Sequence, residues 1–201
     1  MGRHPERLQG FATLATPSPR LAAAELQRAV VELGLNGAMV NARSGDCNVD
    51  AIEFWDIYEA AADLRAPIYL HPRAPRPVVN EAYYGGFGDP VDGLLATGAI
   101  GWHFDAGLTL LRMITGGLFD RFPDLQVILG HWGEVVLFYL DRIAVLDRVR
   151  QTPATRRRVL RLERLRHTRR DCQPEVLSLG RRDRRRGTCH VCLGLSVQPG
   201  T

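Results

Sequence analysis

One form recurs along this chain and limits what it can fold into. A short apolar run ends in a polar residue, and a helical period follows at once. The clearest case is Gln126-Val127-Ile128-Leu129-Gly130-His131-Trp132-Gly133-Glu134. Its apolar residues are consecutive rather than alternating, which is the mark of a parallel strand buried on both faces. Pro67-Ile68-Tyr69-Leu70-His71-Pro72-Arg73 has the same form. In a barrel of alternating strands and helices, polar residues at the C-terminal ends of strands face the active site. His71 and His131 are therefore candidate site residues, and the plain alternative is that each only caps its strand.

The other elements fit the same alternation. Residues 10–15 read as a short strand, broken by Pro17 and Pro19, with Ser18 placed to cap the next helix. Leu21, Ala24, Leu26, Ala29, Val30 and Leu33 keep a helical period that Gly34 closes. Residues 37–42 are the next strand, and 43–48 a polar, glycine-containing loop. Asp50 is placed to cap a helix carrying Ile52, Phe54, Trp55, Tyr58, Ala61, Ala62 and Leu64. A strand over 67–71 follows, then an irregular insertion over 74–98 rich in proline and glycine. Such insertions after a strand tip commonly form substrate loops, and Tyr83, Tyr84 and Phe87 are its candidate stacking residues. Gly101 to Asp105 leads into a helix over 106–119, then a strand over 126–130 and an amphipathic helix to about Arg150. Strand and helix alternate four times, which argues a parallel α/β architecture. Periodicity alone fits a barrel and a doubly wound sheet equally well.

After residue 150 the pattern stops. Residues 151–201 hold 13 arginines against four acidic residues, a net +9, while residues 1–150 carry a net −5. All 26 basic residues are arginine. The chain thus divides into an α/β body over 1–150 and an arginine-rich tail over 151–201. A basic tail raises nucleic acid as a partner. This one has no aromatic residue for stacking on bases, so nucleic acid is not the expected partner. Cys189-His190-Val191-Cys192 matches no complete zinc pattern, and the four cysteines form no disulfide framework. No apolar run is long enough for a membrane span, and the N-terminus has no apolar signal core. A cytoplasmic protein is expected.

Histidines at strand tips with a carboxylate nearby suit a divalent metal that polarises substrate or water. Glu134, three residues past His131, is placed to orient it. Arg73, two residues past His71, can meet a substrate carboxylate. At these residues the chain resembles a family. Leu70-His71-Pro72-Arg73, Gly101-Trp102-His103-Phe104, Gly117-Leu118-Phe119-Asp120-Arg121-Phe122-Pro123 and Leu129-Gly130-His131-Trp132-Gly133-Glu134 are similar to motifs of the amidohydrolase-related metal-dependent decarboxylases. The dihydroxybenzoate and γ-resorcylate decarboxylases are the nearest members, with aminocarboxymuconate semialdehyde decarboxylase more distant. The resemblance runs from about His4 to Arg150. It implies a (β/α)8 barrel, expected here to be incomplete and truncated at both ends, and non-oxidative loss of carbon dioxide from a small aromatic acid, an ortho-hydroxybenzoate. It also implies a divalent metal (zinc or manganese, with magnesium as a further option), His71 as its ligand, and His131 as catalytic acid/base paired with Glu134. Arg73, Trp102, Phe104 and Trp132 become the substrate-binding residues. The intact family is expected to be homo-oligomeric.

Two departures from the family pattern predict an incomplete metal site and an impaired chain. No Glu-x-His or His-x-His pair stands on a first strand, and no Ser-Asp-Tyr-Pro-Phe-like motif with its metal-serving aspartate appears in 151–201. The alternatives are a metal-dependent hydrolase of the same superfamily and a non-catalytic fragment with a nucleic-acid-binding tail. The tail also admits a genetic explanation. Codon choice permits a one-base shift over Cys189 to Gln198 that reads Ser-Asp-Tyr-Pro-Phe, its aspartate encoded across Gly194 and Leu195. The sequence from about Arg158 onward is therefore expected to be a frameshifted barrel end.

Overall fold

The computed structural model describes residues 8–146. The tail over 151–201, with the expectations placed on it, lies outside them. Four strands form one parallel sheet: β1 (Ala12–Thr13), β2 (Ala38–Asn41), β5 (Ile68–His71) and β6 (Val127–Leu129), in the order β1-β2-β5-β6. Each new strand is added on the same side of the last. A doubly wound sheet reverses direction at a switch point; this one does not, so its order is that of a barrel sector. The register aligns Ala38, Ile68 and Val127 in one row and Val40, Leu70 and Leu129 in another. All six side chains are buried, and they form the floor on which the helices pack.

Helix α1 (Pro19–Val31) and α2 (Trp55–Asp63) lie against each other. Pro19 starts α1, where its fixed φ suits the first turn. Ser18 occupies the cap position without a side-chain cap bond, so that expected cap is replaced by main-chain bonding from Ala22 N–H to the Ser18 carbonyl. Asp50 likewise does not cap α2. Its carboxylate takes a two-pronged contact from Arg112 (2.8 and 3.0 Å), a stronger partner than an exposed amide. In α2 the buried face is Ile57, Tyr58 and Ala61, while Ile52 is exposed, contrary to the periodic reading. The Tyr58 hydroxyl donates to the Val49 carbonyl at 2.8 Å inside the core, and burial pushes its pKa far up.

Two further expectations are corrected. Residues 43–48 are not a plain loop. They form a small antiparallel ladder of β3 (Arg43–Ser44) and β4 (Cys47–Asn48), turned by Gly45 at φ +58°. The helix expected over 106–119 starts earlier: short helices α3 (Pro77–Val79) and α4 (Val91–Leu94) lie in the insertion, and α5 spans Gly101–Thr115. Trp102, His103 and Asp105 are therefore helical. Gly101 permits this, because a Cβ there would press on the Ala96 backbone. Helix α6 (Leu118–Arg121) follows, then β6, α7 (Glu134–Phe138) and α8 (Leu140–Ile143), so the final helix is broken rather than continuous.

Candidate active site

The strand tips carry the chemistry. β5 and β6 are hydrogen-bonded neighbours, so their C-terminal residues emerge side by side. Gly130 makes the close exit possible. Its N–H donates to the Leu70 carbonyl at 3.0 Å, and a Cβ there would stand 2.8 Å from that same oxygen. His131 then takes φ +52°, a left-handed conformation uncommon outside glycine. That turn brings the His131 ring over β5, with Nε2 3.4 Å from Nε2 of His71. The rings meet edge to face at 5.1 Å between centroids.

His71 is oriented by its own main chain. Its Nδ1 lies 2.7 Å from the Pro72 carbonyl. A carbonyl only accepts, so Nδ1 carries a proton, and in the neutral ring the Nε2 lone pair faces His131. An imidazole held this way is ready to bind a metal or accept a proton. The donor set is partial. His71 Nε2 and His131 Nε2 lie together, but among the described residues no group of three or more His, Cys, Asp or Glu is arranged to hold a metal ion. A complete coordination shell is not found among the described side chains.

The first turn of α5 closes one side. The Trp102 ring sits 5.6 Å from His131 and 6.4 Å from His71, and His103 lies 5.6 Å from His131. Trp102 thus stands beside both histidines. His103 joins them without having been singled out, because its neighbourhood to His131 depends on where α5 starts. Phe104, 47% exposed on the same turn, is not among the rings that meet these histidines. The backbones of Trp132 and Glu134 follow His131 in the chain, but their side chains lie outside the described ones, and so does the expected pairing of Glu134 with His131.

Arg73 is exposed just past the β5 tip. Its guanidinium donates to the Arg43 carbonyl at 3.3 Å and its backbone N–H to Asp105 Oδ2 at 3.0 Å. Arg43, only 7% exposed, donates to the Ala74 carbonyl and lies 3.8 Å from Asp105 Oδ1. Burial pushes the Asp105 carboxyl above the ordinary carboxylate value, with the Arg73 N–H and the Arg43 charge pulling the other way. In the insertion, Tyr83 and Phe87 are 79% and 71% exposed. Tyr84 is half-buried, and its hydroxyl pKa is raised by burial and by the Asp105 charge. Among the described residues no helix is long and apolar enough to cross a membrane.

Known proteins are similar to this chain in sequence and fold. The chain is 38% identical over 138 residues to decarboxylase orsB of Emericella nidulans, covering 69% of this chain and 42% of the relative. It is 37% identical over 151 residues to the γ-resorcylate decarboxylase of a Polaromonas species, covering 71% and 44%. A solved dihydroxybenzoic acid decarboxylase from Polaromonas, with bound manganese and the inhibitor 2-nitroresorcinol, superposes with a TM-score of 0.62 at 36% identity, covering 70% of this chain and 42% of that one. The chain spans less than half the length of these relatives. The amidohydrolase family model matches residues 1–166. With its parallel sheet in barrel order and histidines at two adjacent strand tips, the chain belongs to the amidohydrolase family.

Proposed function

We propose that this chain carries one side of the active centre of a metal-dependent, non-oxidative decarboxylase acting on small hydroxybenzoate-type aromatic acids. The observation that carries the reading is the His71–His131 pair, with the His71 Nε2 lone pair turned toward His131 by the Nδ1–Pro72 contact. His71 would hold the metal, manganese or zinc with magnesium as a further option. When bound, that ion supplies positive charge against which a substrate carboxylate and phenolate are held. His131 is placed to hand over and take back a proton at Nε2, and Glu134 to orient it. Trp102, beside the two histidines, gives an aromatic wall that excludes water and fixes the ring plane, and Trp132 and the more exposed Phe104 are to contact the same substrate. Arg73 is the carboxylate-facing guanidinium, once released from the Arg43 carbonyl.

The remaining metal ligands are to come from outside residues 8–146. The body over 1–150 is part of a (β/α)8 barrel, the sequence after about Arg158 is a frameshifted barrel end, and the intact assembly is a cytoplasmic homo-oligomer. Full activity then needs both the reading frame restored and the first-strand ligand pair supplied by an upstream extension. The test is metal content and carbon dioxide release from 2,3- and 2,6-dihydroxybenzoate. The chain as it stands should bind manganese weakly, lose even that in His71→Ala, and turn over little. Hydrolysis of a lactone with no decarboxylation in the frame-restored protein would replace this reading with the hydrolase one.

A further inference from the structure

Three separate segments meet at one carboxylate. Asp105 stands on the first turn of α5, the turn that also presents Trp102 and His103 to the histidines. Its Oδ2 accepts the N–H of Arg73, two residues past His71, at 3.0 Å. Its Oδ1 faces the Arg43 guanidinium at 3.8 Å. Arg43 begins β3, directly beyond β2, and its side chain also donates to the Ala74 carbonyl. The Arg73 guanidinium returns the link by donating to the Arg43 carbonyl. The exit of β5 is therefore held at two consecutive residues, from the β2 side by Arg43 and from the α5 side by Asp105. A buried arginine is costly to desolvate, and here one main-chain carbonyl and one carboxylate offset that cost.

We propose that Asp105, with Arg43, is a positioning residue for the active centre: it pins the β5 exit to the first turn of α5, and so sets where His71 stands relative to Trp102 and His131. The mechanism is local. The lone-pair direction of His71 depends on the Pro72 carbonyl, and Pro72 lies between His71 and the residue whose N–H Asp105 holds. Release of the Arg73 N–H frees that carbonyl to rotate and lets the Nδ1 contact exchange. This inference rests on the decarboxylase reading only for its consequence; the geometry can be tested without activity.

The test compares the full chain with Asp105→Asn and Asp105→Ala. Asparagine keeps an oxygen that accepts the Arg73 N–H; alanine keeps nothing. Arg112→Gln, which removes the ion pair with Asp50 on another part of α5, is the control. Two readouts need no metal: amide exchange at Arg73, and the imidazole nitrogen shifts of His71, which report its tautomer. Asp105→Ala should speed exchange at Arg73 by roughly two- to tenfold, the loss of one ordinary hydrogen bond. It should also mix the His71 tautomers. Asp105→Asn should leave the tautomer as in the wild type, and so should Arg112→Gln. A third readout, manganese affinity, should fall about tenfold in Asp105→Ala, as for a residue that orients a ligand. Unchanged His71 signals in a folded Asp105→Ala would overturn the proposal. So would equal disturbance in the asparagine variant, which carries the test if the alanine variant does not fold. Absence of manganese binding in the wild type would count against the decarboxylase reading alone.

Discussion

The strands of this sheet lead two different lives along their length. Over most of their span they are a floor: Val40, Ile68, Leu70, Val127 and Leu129 are buried beneath the helices and answer only to packing. At their C-terminal ends, within one or two residues, they become polar: Asn41, His71 and, beyond Gly130, His131. The floor is fixed by volume and by burial of apolar area, which are insensitive to small rotations. The tips depend on directional contacts such as the Nδ1–carbonyl bond of His71 and the carboxylate at Asp105. Stability and chemistry are therefore held by different forces in adjacent residues of the same strand, so substitutions should separate them.

The largest effect should come from breaking the floor. Leu70→Ala removes a fully buried side chain beside His71 and should cost about 2–5 kcal/mol in denaturant unfolding. Because it lies next to the tip, it should disturb the His71 imidazole signals too. Tyr58→Phe sharpens the contrast. It leaves the buried Val49 carbonyl without its donor, at a cost of about 1–3 kcal/mol, yet should leave those signals untouched. His71→Ala is the reverse case: unfolding free energy should change by under about 1 kcal/mol, since the ring is half-buried, while manganese binding is lost.

The smallest effect is a pH dependence. Burial raises the Asp105 pKa above its ordinary 3.8, so the protonated form is the one favoured by folding. Its contribution is complete below pH 3.8 and is lost as pH rises through the folded-state value. Stability should therefore fall over that window in the wild type, and the Asp105→Asn variant should lack that component. An identical pH profile in the two proteins would show that Asp105 titrates as it does in the unfolded chain.

The floor was legible in the sequence and the tips only partly so. Strands at 37–42, 67–71 and 126–130 follow from apolar runs, and the histidines from their place at the ends of two of them. What periodicity could not give was strand order, which depends on pairing between segments about thirty to sixty residues apart. The start of α5 was missed because Gly101, His103 and Asp105 resemble loop residues; their helical state is supported by the Ala96 backbone, His131, Arg43 and Arg73. Asp50 was misread for the same reason. A carboxylate before a helix looks like a cap until Arg112, 62 residues away, is seen to claim it. His103 stands in the motif Gly101-Trp102-His103-Phe104, but its own place beside His131 follows only from the fold.

The central claim is that the two strand tips are the working end of a metal-dependent decarboxylase. The most direct measurement resequences the gene around the codons for Gln151 to Arg161 and, where a shifted frame is found, repairs it and adds the upstream first strand. Carbon dioxide release from 2,6-dihydroxybenzoate is then followed with manganese present, in the repaired protein and in its His71→Ala and His131→Ala variants. The account predicts turnover in the repaired protein, little in the chain as it stands, and loss of turnover in both variants. Turnover that survives His71→Ala, or none from either dihydroxybenzoate with manganese, zinc or magnesium, would contradict it.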